Sequence, residues 1–270
     1  MPRGARGETS VARRRPRTQP GIKGLAGLFA ALFVTVLFFG LSGAIQGVID
    51  PQPQLEQLTE RQTTYTAWDE DAYPDYYRVV GTAVVDVDLE PGEVVYEGLD
   101  WLGRTGRVVG NVTLDMAREG SDREREDISH IHPSGWGHNR EVDIEMPGGN
   151  TYHGALFNRS HLLAKSLGGD DADYNLVTGT RTQNVGDNRG QDGGMAYTEG
   201  IARDWLYDNP SGSVYYSATP VYEGDELVPR SVIVDVRSSD GSIDQEVEVF
   251  NVARGFEIDY ATGEFWECGD

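Results

Sequence analysis

From Leu25 to Ile45 the chain runs through 21 almost purely apolar residues, and no charge occurs between Lys23 and Asp50. About 20 apolar residues are what a helix needs to cross a bilayer. Such a segment does not belong in a water-soluble fold, so it divides the chain. Before it lie Arg3, Arg6, Arg13, Arg14, Arg15, Arg17 and Lys23 against a single acid, Glu8. Residues 1–23 therefore read as a disordered basic tail held inside the cell, and residues 24–49 as a transmembrane signal anchor. Cleavage of the same segment as a signal peptide stays open, because Ser42-Gly43-Ala44 resembles a small-residue cleavage site. Both readings place the rest of the chain outside the cytoplasm, either anchored in the cell membrane or secreted.

Residues 50–75 are polar, carry Pro51 and Pro53, and read as a linker to a domain spanning 76–270. Of the chain's 23 basic and 44 acidic residues, the first 50 hold seven and two. The remainder has 16 bases against 42 acids, a surface that repels polyanions at long range. Charge alone argues against a nucleic-acid partner. The one cysteine, Cys268, excludes an internal disulfide and any Cys-rich zinc module. An exported domain with no staples needs a full hydrophobic core.

Within that domain the pattern is mixed. Alternating Val and Asp from Val79 to Leu89 predict a strand, as do Arg107–Met116 and the short stretch Tyr152–Phe157. Met195–Tyr207 has helical spacing and stops at Asn209-Pro210. Val214–Val221, Leu227–Val236 and Glu246–Val252 are further strands between Gly, Pro and Asp turns. Strands dominate and βαβ alternation is missing, so an α+β domain on a central antiparallel sheet is expected.

Five histidines occur: His130, His132, His138, His153 and His161. Neutral imidazole is the usual proton acceptor near pH 7. His161 follows a predicted strand, with Arg159 two residues before it. Downstream, Asn175 to Asn184 (NLVTGTRTQN) is too polar for a core and lacks the charges of an ordinary solvated face. Asn184 offers a neutral carbonyl oxygen suited to Mg²⁺, a hard cation that keeps most of its waters.

Taken in order, Asn158-Arg159-Ser160-His161-Leu162, Asn175-Leu176-Val177-Thr178-Gly179-Thr180, Gln183-Asn184 and Tyr197-Thr198-Glu199 resemble the DNA/RNA non-specific endonuclease family. The likeness is greatest to its streptococcal-type secreted and surface branch, which has the ββα-metal fold. It spans about residues 78–265, including Tyr96–Arg104, Tyr215–Leu227 and Phe250–Gly263. The resemblance implies a sequence-non-specific endonuclease acting on DNA, with RNA as a second substrate. It makes His161 the general base, Asn184 the protein ligand to one Mg²⁺ (Mn²⁺ being the second candidate), and Arg159 a stabiliser of phosphate charge. It also makes Asn175 and Glu199 supports of the metal's water shell. Asn158 and Arg181 are supporting positions. No obligatory protein partner is implied.

Two departures stand out. Asn158 and Ser160 replace the Asp and Gly of the family's Asp-Arg-Gly-His motif, and the lost carboxylate bears on the orientation of the base. Two other classes compete. One is a non-catalytic surface module binding nucleic acid or a cell-wall ligand on the same scaffold. The other is a zinc hydrolase built on His130, His132 and His138. Glu141, Asp143 and Glu145 read as the exposed face of a strand, His153 as a packed or hydrogen-bonded residue, and Asp170, Asp171 and Asp173 as a solvated loop.

Overall fold

The computed structural model describes residues 67–146, 149–186 and 192–269. The predicted tail and span, and most of the linker, lie outside these residues. No helix among the described residues is long and apolar enough to cross a membrane.

Six strands form an antiparallel sheet: β1 (Tyr77–Gly81), β2 (Val94–Tyr96), β3 (Val108–Thr113), β8 (Ser213–Val221), β9 (Ser231–Ser238) and β10 (Asp244–Phe250), in the order β1-β10-β9-β8-β3-β2. Between β3 and β8 in the chain come α1 (Leu114–Asp122), the hairpin β4 (Glu141–Met146) and β5 (Asn150–Ala155), the pair β6 (Phe157–His161) and β7 (Leu176–Thr180), and helices α2 (Arg181–Val185) and α3 (Met195–Asp208). A small hairpin, β11 (Phe256–Asp259) with β12 (Glu264–Glu267), closes the domain. The expected α+β class with a central antiparallel sheet is what the chain forms.

The main core lies between the sheet and the two longer helices. Val108, Val112, Val214, Tyr216, Val232, Val234 and Val236 meet Leu114, Ala117, Met195, Ala202 and Leu206 there. β-branched valines suit a pleated, half-buried surface, which explains their density on these strands. A smaller cluster joins Val142, Ile144 and Met146 of β4 to Phe157, Ile258 and Phe265.

Two expectations shift at their edges. The strand predicted from Arg107 to Met116 ends at Thr113, whose side chain caps α1 by accepting from the Met116 N–H. An N-cap of this kind satisfies a donor that a strand would have paired elsewhere. The strand predicted from Val79 to Leu89 stops at Gly81, after a register shift against β10. Beyond it, the N–H groups of Ala83 and Val84 are bound by the carboxylates of Asp244 and Asp235 instead of a neighbouring strand.

Candidate active site

β6 and β7 form an antiparallel pair that runs directly into α2, giving a ββα unit. Along β6, Asn158 opposes Gly179, Arg159 opposes Thr178 and His161 opposes Leu176. Residues two apart on a strand share a face, so Arg159 and His161 point together. Thr180 caps α2 through the Gln183 N–H. The helix can lie this close to the strands because position 179 is glycine: a Cβ there would sit 2.1 Å from Gln183 Oε1 and 2.7 Å from Ser160 Cβ.

These elements border an open cleft of about 640 Å³ lined by Arg159, His161, Asn184 and Glu199. Four of the seven predicted site residues therefore meet. Arg125, Lys165, Arg203 and Asp171 complete its charged lining, with Glu126. Four bases against three acids is a very different balance from the 16 against 42 of the chain beyond residue 50. The cleft escapes the acidic excess of the rest of the chain, which weakens the objection raised by the acidic total.

His161 is mostly buried, and its Nε2 lies 2.8 Å from Asp171 Oδ1. Burial lowers its pKa below the ordinary 6.5, while Asp171 pulls the other way and the cations Arg125 and Arg123 push it down further. The imidazole is thus neutral at physiological pH.

Asn184 Oδ1 accepts a hydrogen bond from the buried Ser160 hydroxyl at 3.1 Å. The departure from the motif's glycine thus has a structural role: it orients the predicted ligand. An amide oxygen has two lone pairs, so one remains for a cation. Desolvation pushes the Glu199 carboxyl up to about 7, with Arg203 opposing that rise. Its side chain still borders the cleft, where a cation would restore the carboxylate. All the groups that would hold a metal here are oxygen donors, which suits a hard divalent ion.

Three predicted residues stand elsewhere. Asn175 is fully buried, and its amide is spent on backbone: Oδ1 accepts from Leu163 N–H, and Nδ2 donates to the carbonyls of Leu163 and Asp170. It holds the loop and does not line the cleft. Arg181 lies over the Tyr152 ring, 5.3 Å from its centroid, and does not line the cleft. Asn158 does not line it either. Arg159 lines it, but its Nε and Nη2 donate to the carbonyls of Ile131 and Ser129, and the guanidinium stacks 4.1 Å from the Trp136 ring centroid. Half of its task is to clamp the 129–136 loop.

The rival zinc cluster does not assemble. His130 bonds the Asp127 carbonyl, His132 stacks on Trp136 and His138 lies 3.8 Å from Glu264. No group of three or more His, Cys, Asp or Glu able to hold a metal occurs among the described residues. Asp171, read from sequence as part of a solvated loop, is instead buried against His161. Nothing in its local sequence separates it from Asp170 and Asp173.

A strand pair leading into a helix, with an imidazole and an amide bordering one cleft, is an arrangement suited to cleaving phosphodiesters. Comparison with known proteins agrees. Residues 82–261 match the DNA/RNA non-specific endonuclease family model. A deoxyribonuclease of Streptococcus dysgalactiae subsp. equisimilis is 33% identical over 240 residues, 71% of this chain and 72% of the relative. The zinc-bound structure of Sda1 nuclease superposes with a TM-score of 0.71 at 36% identity, covering 74% of this chain and all of the other. Magnesium-bound NucA from Streptococcus agalactiae shares the fold, with a TM-score of 0.60 at 21% identity over 80% of this chain and 96% of its own. The chain belongs to the DNA/RNA non-specific endonuclease family, in its streptococcal-type branch, and is a metal-dependent endonuclease.

Proposed function

We propose that this protein hydrolyses internal phosphodiester bonds of DNA, and of RNA, without sequence preference, using Mg²⁺ at Asn184 and His161 as general base. The observation that carries this reading is the shared cleft: a neutral, half-hidden imidazole and a pre-oriented amide oxygen face the same space.

Asn184 Oδ1 would hold the ion, with Glu199 beside it; Mn²⁺ fits the same oxygen donors. The bound ion supplies charge neutralisation for the scissile phosphate and its developing oxyanion. His161 accepts a proton from the attacking water as the water oxygen bonds to phosphorus and one P–O ester bond breaks. The departing alkoxide takes a proton from solvent. Arg125, Lys165 and Arg203 line the approach and contribute positive potential. Lys165 is fixed there by donating to the carbonyls of Gly120 and Arg123 at the end of α1. These groups address phosphate and not base edges, so sequence preference is weak.

The apolar run 25–45 supports a further part of the proposal: the domain works outside the cytoplasm, held to the cell membrane by its N-terminal segment or released if that segment is cleaved. The test is degradation of supercoiled plasmid, and of a structured RNA, with Mg²⁺, with Mn²⁺ and with excess EDTA, beside His161→Ala. Conversion to a continuous smear that needs metal and vanishes in the variant supports the reading. Activity surviving His161→Ala would place the chemistry elsewhere.

A further inference from the structure

The family motif places a carboxylate three residues before the base, and this chain has Asn158 there. Asn158 is also absent from the cleft lining. A different carboxylate reaches the imidazole, from a different part of the chain: Asp171, ten residues after His161, with Oδ1 at 2.8 Å from Nε2. Its side chain is 6% exposed, and its Oδ2 is buried with no hydrogen-bond partner among the described residues. Arg123 approaches Oδ2 at 3.9 Å.

The loop that delivers this carboxylate is pinned on every side. Arg123 donates to the Gly169 carbonyl, Asn175 to the Asp170 carbonyl, and the Asp170 N–H to the Tyr96 hydroxyl. Tyr174 donates to Asp170 Oδ2, and Thr105 to the carbonyls of Asp173 and Leu176. Gly169 passes so close to the preceding segment that a Cβ would lie 1.9 Å from the Leu163 carbonyl oxygen. A surface loop carrying a bystander acid has no use for such restraint.

Building on the reading of His161 as the base, we infer that Asp171 is the positioning residue for that base, fixing its Nε2–H tautomer in place of the motif's missing Asp. An ionised carboxylate can only accept, so the proton of the neutral ring resides on Nε2 and Nδ1 keeps the lone pair. As Nδ1 takes the proton of the attacking water, the ring becomes a cation beside a carboxylate already in contact with it. Desolvation makes that contact worth more than a surface pair. The other charged groups facing the ring or lining its cleft are Arg123, Arg125, Arg159, Lys165, Arg203, Glu126 and Glu199. All but Glu126 and Glu199 are cations, so Asp171 is the acid in contact with the ring.

The first measurement needs no variant and no activity. In the ¹⁵N-histidine spectrum of the full chain at neutral pH, His161, assigned by its loss in His161→Gln, should show a protonated Nε2 and a bare Nδ1. The opposite tautomer would overturn the inference whether or not the protein cleaves DNA. The second is Asp171→Asn, whose amide can donate as well as accept. Its kcat should fall about 100-fold or more with KM within about threefold, and its acid limb should move to lower pH. Asp171→Glu should recover part of kcat. Equal kcat in Asp171→Asn, or a loss matched by Asp173→Asn on the same loop, would show that the carboxylate has no such role.

Discussion

The molecule contains the same side-chain pair twice, in two hairpins that adjoin in sequence. In the β4–β5 hairpin, His153 Nδ1 lies 2.6 Å from Asp143; beside the β6–β7 pair, His161 Nε2 lies 2.8 Å from Asp171. The side chains of the first are 74% and 69% exposed, those of the second 20% and 6%. The outcome is opposite. The hydrogen bond to Asp143, and then its charge, raise the pKa of His153 above 6.5, whereas burial carries His161 below it despite the same kind of partner. An acid beside an imidazole does not by itself make a charged pair; the solvent around both decides which protonation state the fold selects. In one hairpin the solvated carboxylate favours the charged ring, and beside the other strand pair burial favours the neutral one.

The largest effect expected is the one that separates the two pairs outright. His161→Ala should lower plasmid cleavage at least about 1,000-fold, within the range general-base catalysis supplies, while His153→Ala leaves the rate within about twofold. Parity between the two variants would end the distinction. Next, Asn184→Ala should reduce cleavage about 100-fold or more, with a higher metal concentration needed for half-maximal rate. Ser160→Gly, which restores the motif but removes the hydroxyl that orients Asn184, should weaken metal dependence less, about three- to tenfold; metal titrations of activity measure both.

Asn175→Ala tests the scaffold under the buried pair. Deleting that amide strands three backbone groups and should cost about 3 kcal/mol, a drop of about 10 °C in melting temperature. Unchanged melting would mean the loop is held without it. The smallest effect is on the pH axis. Cleavage should persist below pH 6.5 and fall only as His161 gains its proton, since its folded pKa is depressed. Its contribution to stability is correspondingly present above 6.5 and lost as pH falls through the lower, folded value. For His153 the sign reverses: its contribution is full below 6.5 and fades as pH rises through the raised value. Imidazole proton shifts followed from pH 5 to 8 should therefore show midpoints on opposite sides of 6.5, and Asp143→Asn should bring that of His153 back.

How far the sequence could be read follows the same division between local and non-local causes. The strands near 214–221 and 246–252 and the helix at 195–207 were legible because Gly, Pro and Asp turns around β-forming runs and an Asn-Pro stop are local signals. The strand from Leu227 starts only at Ser231, past Pro229, which has no N–H to give a ladder. Leu114 to Gly120 turns helical because Thr113 caps it and Leu114 and Ala117 are buried on one side, a choice that tertiary packing makes. In the cleft, His161, Asn184 and Glu199 were legible through motif order. Asp171 was not, since its pairing depends on the path of a 14-residue loop between β6 and β7. The backbone contacts of Asn175 were hidden for a related reason: an amide that seals backbone and one that faces a metal have the same composition and differ only in where they point.

The near-balance of charge in the cleft, against an acidic remainder, also has a kinetic meaning. A DNA-binding protein with a basic surface captures its substrate from a distance and loses that advantage as salt rises. Here the outer surface repels a polyanion, and attraction begins only within about a Debye length of Arg125, Lys165 and Arg203. Added salt then lowers the outer barrier and the inner attraction together, so association should vary with ionic strength far less than it does for basic nucleases.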